Sequence, residues 1–206
     1  SAILQPGYVM RHGISPNGGG ALVNRWTLLM DIFFPEPQES RYTSLVQIDD
    51  LNSDADMLVR WNNIGGAGTG GLGVDGQFTG DGKAFLTKGR WHRVALAADL
   101  TSDSPMISKF VDGVKFEDQY FSAPQVDGRL ALGKTVRLFS DENNELSTFY
   151  VNSIQILDGK MLDEDIAALG GPSAGGISGT VIVPPASSPT LSVRWVGASL
   201  GISWPT

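Results

Sequence analysis

The chain has no cysteine. That excludes disulfides and thiolate metal sites, and leaves burial and hydrogen bonding to hold the fold. Histidine is nearly missing as well, with two residues, His12 and His92. There is no Gly-x-Ser-x-Gly string either, so no nucleophile–base set can be assembled from the sequence. Basic residues are few: 15 Lys and Arg stand against 22 Asp and Glu, a net charge of −7. With no basic run, the chain lacks the clustered cations that nucleic-acid binding needs. No apolar run approaches the ~20 residues of a membrane span. No signal peptide is visible after Ser1-Ala2, a start that a removed leader would also leave.

What is abundant points to β structure. The 206 residues include 26 Gly and 11 Pro, which suits many turns between short strands. A hydrophobic share of 41% against 18% charged is that of a globular chain. The central feature is a meander. Residues 91–100 read as a long strand, 101–105 as a dense turn, and 106–111 as a returning strand. Asp112-Gly113 is the strongest short hairpin signal, because Gly accepts positive φ without a Cβ clash, and residues 114–116 start a third strand.

Further strands are expected at 2–4, 8–10, 23–34, 44–48, 57–61, 128–132, 135–139 and 149–157. The run 28–34 is apolar at nearly every position and suits a strand covered on both faces. The Gly-rich stretch 64–76 reads as a loop or weak hairpin. It is no phosphate loop, since no Gly-Lys-Ser/Thr follows. A single helix is expected where Asp163, Glu164 and Asp165 place negative charge at a positive N-terminus, with Ile166 and Leu169 on one face and Gly170-Gly171-Pro172 ending it. From Ser173 the composition becomes linker-like, with β-prone pieces at 180–183, 191–195 and 200–204. The fold class expected is therefore all-β, an antiparallel two-sheet sandwich or jelly roll with one short late helix.

Gly89-Arg90-Trp91-His92-Arg93-Val94-Ala95, with Val111-Asp112-Gly113 some twenty residues on, resembles the signature of laminin-G-like, concanavalin-A-like jelly rolls. The stretch 150–156, followed by 162–170, is similar to the closing strand and helix of the bacterial branch. The resemblance covers roughly residues 8–172. It implies a laminin-G-like jelly roll over 1–171, a Gly/Pro/Ser-rich linker over 172–190, and over 191–206 the start of a further β module or extra edge strands. It also implies an accessory module of a larger secreted or cell-surface bacterial protein, not itself an enzyme, that binds glycans or packs on neighbouring domains of the same polypeptide, often with calcium. The other readings are a structural spacer with no free ligand, and a glycoside hydrolase. Hydrolases on this fold carry Glu-x-Asp-x-Glu or Glu-x-Asp-x-x-Glu on one strand, and no such string occurs here.

Candidate site residues follow from chemistry. An exposed aromatic ring packs on the apolar face of a sugar while amides take its hydroxyls. Trp61 beside Asn62 and Asn63 has that composition, although Trp61 could equally cover the edge of the sandwich. Trp26 and Trp91 are read as core, and His92 as a structural imidazole hydrogen-bonded inside the sandwich. Asp50, Asn52, Asp54 and Asp56 place oxygen ligands at alternate positions, a pattern that suits Ca²⁺ and also an ordinary solvated acidic turn. Asp141, Glu142, Asn143 and Asn144 form a second acidic cluster.

If the first cluster holds calcium, binding to the folded state alone adds about 2.7 kcal/mol at a hundredfold excess over Kd. Millimolar calcium is then expected to raise Tm and EDTA to reverse it, with Asp54→Ala plus Asp56→Ala abolishing the response. Superimposable melts in calcium and EDTA would leave a solvated turn.

Overall fold

The computed structural model describes residues 7–48, 57–78, 86–141 and 145–177, with the strands Ser192–Val196 and Ser199–Ser203. Asp50, Asn52, Asp54 and Asp56 lie outside the described residues, as do Glu142, Asn143 and Asn144, the expected strands at 2–4 and 180–183, and most of the expected linker.

Two antiparallel sheets face each other. The first contains β1 (Tyr8–Arg11), β3 (Tyr42–Gln47), β4 (Met57–Trp61), β5 (Thr69–Val74), β6 (Gln77–Phe78), β7 (Leu86–Thr87) and β11 (Thr135–Leu138). Its order is β1-β11-β3-β4-β5-β6, with β7 also on β5. The second runs β10 (Val114–Tyr120), β9 (Met106–Val111), β8 (Trp91–Asp99), β2 (Arg25–Phe33) and β12 (Tyr150–Asp158). The expected all-β jelly-roll sandwich is what forms. The strands β13 (Ser192–Val196) and β14 (Ser199–Ser203) pair as a separate hairpin.

The main core lies between the sheets. Trp26, Leu28, Met30 and Ile32 of β2 alternate inward, opposed by Leu45, Met57, Val59, Trp61 and Leu72 of the other sheet. The intervening β2 residue Leu29 belongs to a second core, with Ala95, Ala97, Phe110, Ile166 and Ile177. β2 is thus covered on both faces, as its near-continuous apolar run requires. The cover includes α1 (Asp163–Leu169), which buries Ile166 against the two small alanines of β8. Seven residues are too few for a helix to stand alone in water, so packing holds it. Gly170 takes φ 58° just beyond its last turn.

The central meander forms as expected. Asp112 and Gly113 both have positive φ, 52° and 79°, the geometry of a type I′ turn. Asp75-Gly76 builds a second such turn at φ 48° and 73°. Within the glycine-rich stretch residues 69–74 are strand and 64–68 loop, and its strand glycines make room for rings. A Cβ on Gly70 would sit 2.8 Å from the Trp61 ring, and one on Gly73 would sit 2.5 Å from Phe78. At the open side of the sandwich, the fully buried Lys109 donates to Gln77 O at 2.8 Å and pairs with Glu117 at 3.1 Å. Burial lowers the Lys109 pKa, while Glu117 opposes the shift.

Three sequence expectations change. Residues 128–132 form a turn with one bridge, Val23 to Leu132, because the Leu130 carbonyl is taken by the Trp26 indole N–H at 3.1 Å. Residues 173–177 continue over the outer face of the second sheet: Ile177 is 7% exposed, and its N–H donates to Ser153 Oγ at 3.2 Å. Trp91 is not core. It points away from the interior and is 39% exposed, whereas Trp26 is 1% exposed.

Trp26→Ala is accordingly expected to cost about 3–5 kcal/mol in urea melts. Trp91→Ala should cost about 1–2 kcal/mol, since its ring keeps only partial cover. Equal losses would contradict the assigned faces of these strands.

Candidate functional site

A cleft of about 580 Å³ opens at one end of the sandwich, lined by Glu36, Asn62, Asn63, Ala67, Gly68, Thr69, Thr87 and Lys88. Its walls come from the segment after β2, the β4–β5 connection and the end of β7. Backbone bonds join these pieces: Gln38 N–H to Ile64 O at 3.0 Å, Asn62 N–H to Thr69 O at 3.0 Å, and Gly89 N–H to Phe34 O at 2.8 Å.

The polar side chains of the cleft are fixed yet not saturated. Asn62 Oδ1 accepts the Thr69 N–H at 2.9 Å while its Nδ2 donates to Thr69 Oγ1. Asn63 Oδ1 accepts the Gly65 N–H at 3.0 Å, and its Nδ2 donates to Ala67 O at 3.1 Å. Each amide still has a second N–H and a second lone pair. Lys88, only 6% exposed, donates to Asn63 O and, at 2.9 Å, to Gly66 O. Burial draws its ammonium below the ordinary 10.5, with the Glu36 charge acting the other way. Glu36 is exposed and makes no hydrogen bond among the described residues.

Of the sequence-derived candidates, Asn62 and Asn63 are brought together here and Trp61 is not. Trp61 is fully buried and packs edge-on against Phe34 at 4.9 Å, so it offers no platform to a ligand. The neighbouring sequence explains this. On β4, Met57, Val59 and Trp61 share the face opposite Arg60, and the charged residue takes the outside. Lys88 Nζ sits 5.3 Å above the Trp61 ring, tying the cleft floor to the core. The sequence reading missed Glu36, Thr69, Thr87 and Lys88, which gather only through the chain's return from β7.

His92 is structural, as expected. It is 2% exposed; its Nε2 accepts the Thr87 N–H at 2.9 Å, and its Nδ1 lies 2.9 Å from Asp112 Oδ2. That assigns the proton to Nδ1. His12 is half-buried, and its Nε2 lies 2.5 Å from Gly133 O. Among the described residues, no group of three or more His, Asp or Glu side chains could hold a metal. Asp141 is buried and accepts the Glu145 N–H at 2.7 Å. No helix among the described residues is long and apolar enough to cross a membrane.

A scan against protein-family models finds no match, and a search of curated proteins finds none. Among solved structures, the chain is similar to a heptameric SAP-like pentraxin from Limulus polyphemus, with 14% identity, a TM-score of 0.49, and coverage of 88% of this chain and 80% of that one. It is also similar to the CBM40 of the Ruminococcus gnavus IT-sialidase, with 14% identity, a TM-score of 0.46, and coverage of 83% and 100%. A third likeness is to the catalytic domain of a glycoside hydrolase family 131 protein from Coprinopsis cinerea, with 16% identity, a TM-score of 0.38, and coverage of 71% and 60%.

The His92–Asp112 pair behind the cleft has a pH signature. Burial alone would raise the Asp112 pKa. Hydrogen bonds from His92 and the Arg93 N–H, with the charge of Arg90, hold it below the ordinary 3.8. In acid the native state then binds fewer protons than the unfolded chain. The stabilisation is complete above about pH 4 and is lost as pH falls through the folded value. Asp112→Asn keeps a residue that tolerates positive φ but removes the charge. It is expected to cost about 1.5–3 kcal/mol at pH 7 and to flatten the acid limb of stability against pH. An unchanged acid limb would contradict this role.

Proposed function

We propose that this chain is a non-catalytic carbohydrate-binding sandwich, and that the polar cleft is its site. One observation carries the reading: amide, hydroxyl and ammonium groups, held by bonds that leave part of their capacity free, converge on one cleft with the exposed Glu36 carboxylate. Sugar hydroxyls both donate and accept, so fixed groups of both kinds with spare capacity suit them. Among the described residues, Glu36 is the one carboxylate lining the cleft. Glycoside hydrolysis uses a pair about 5–9.5 Å apart, so the lining favours binding over bond cleavage. A secreted or cell-surface location, a place beside other domains of one polypeptide, and calcium at Asp50, Asn52, Asp54 and Asp56 belong to the same proposal, on the strength of the sequence resemblance.

The test is a glycan array with the full chain, run with and without calcium, followed by calorimetry on the glycans retained. Glu36 makes no bond that folding needs, so Glu36→Gln is a clean probe. It is expected to weaken binding about tenfold, the value of one hydrogen bond to a charged group. A folded chain that retains no glycan would favour the spacer reading, in which Asn62 and Asn63 serve only to hold their loop.

A further inference from the structure

A second surface, sharing no residue with the cleft, has its own ligand chemistry. Trp91 opens β8 on the outer face of the second sheet and is 39% exposed. Its ring is braced by Phe33 at a centroid distance of 5.7 Å, and Phe33 by Tyr150 at 6.0 Å. Tyr150 is itself 57% exposed. Beside Trp91 lies a groove of about 290 Å³ lined by Trp91, Asn152, Pro172, Ser173 and Ala174. Asn152 Nδ2 donates to Ser173 O at 3.1 Å, which fixes the amide, and its Oδ1 has no partner among the described residues.

We propose that this groove is a second glycan subsite, with Trp91 stacking on the apolar face of a neutral pyranose and Asn152 Oδ1 accepting a hydroxyl proton. Three features select that ligand class. Among the described residues, none lining the groove is charged, so neither an anionic nor a cationic ligand gains a partner from them. The aromatic surface is held rigid by its neighbours, so stacking costs little side-chain entropy. The open amide oxygen beside the ring supplies the polar contact that a pyranose needs and a purely apolar partner would leave unpaired. The inference rests on the glycan-binding reading of this chain, but not on the cleft.

The experiment is proton–nitrogen NMR of the full chain, titrated separately with methyl β-glucopyranoside, methyl β-galactopyranoside and methyl β-xylopyranoside. The five tryptophan indoles give separate signals, and Trp91→Phe assigns that of Trp91. The expected result is a saturable shift of the Trp91 indole and the Asn152 amide with at least one pyranoside. Trp91→Ala should weaken binding at this groove about tenfold or more, read at Asn152, and Trp91→Phe should stay within about threefold because a ring remains. Glu36→Gln should leave the response unchanged. A silent Trp91 with shifts at Asn62 and Asn63 would overturn this inference and leave the cleft standing; the reverse pattern would uphold it and remove the cleft. A Trp91 signal that moves only with protein concentration would assign the surface to self-association and overturn the proposal.

Discussion

Asp31 and Arg93 face each other across β2 and β8, neighbouring strands of the second sheet, and the rest of the structure depends on this pair. Two guanidinium–carboxylate bonds, at 2.7 and 2.8 Å, join side chains that are 0% and 5% exposed. Buried charges are tolerated only when their remaining hydrogen-bonding capacity is also met. Here the extra acceptor is the Leu169 carbonyl at 2.9 Å, at the C-terminal end of α1, where the helix dipole favours a cation. Gly176 O lies at 3.4 Å. The ion pair therefore demands a cover, and the cover is the short helix and the segment behind it. Stripping Arg93 away would strand a buried carboxylate, a change costing about 3–5 kcal/mol.

The recognisable Trp-His-Arg and Asp-Gly strings are one device seen from two places in the chain. Asp112 sits in a type I′ turn and reaches back to β8, where Oδ2 meets His92 and Oδ1 accepts the Arg93 N–H at 2.9 Å. The turn that reverses β9 into β10 thus also satisfies the imidazole of β8. Gly113 is restricted twice. It has positive φ, and a Cβ there would lie 2.9 Å from the Ala167 carbonyl at the end of α1. The spacing between the two strings is set by the length of the β8–β9 hairpin, whose returning strand must bring Asp112-Gly113 back beside the start of β8 and the end of α1.

How much of this was legible differs from residue to residue. The meander, both faces of β2, the helix and its stop were readable because each rests on local chemistry: a turn residue, an apolar run, a Gly-Gly-Pro end. Trp91 was misplaced because a strand buried on both faces gives little phase signal from apolarity alone. The phase was still written in the other residues. Trp91 alternates with Arg93, Ala95, Ala97 and Asp99, a set of charged and small side chains, whereas His92, Val94, Leu96 and Ala98 face the main core. Arg60 carried the same information about Trp61. The cleft was only half legible. Asn62 and Asn63 stood out as a pair, but Glu36 and Lys88 are separated from them by long stretches of chain, and only the sheet's closure joins them.

The segment through Ile177 has a mechanical meaning as well. The chain continues beyond it to the β13–β14 hairpin, and its last described contacts before that are Gly176 O to Arg93, Ile177 N–H to Ser153 Oγ, and Ile177 O to Gln155 at 3.4 Å. Tension applied from the C-terminal direction would therefore load these side-chain ties before any strand is asked to separate. Through Arg93 the load passes to β8, which is paired on both sides, and not only to the edge strand β12. Under pull, the outer cover would yield first and act as a fuse that spares the sandwich.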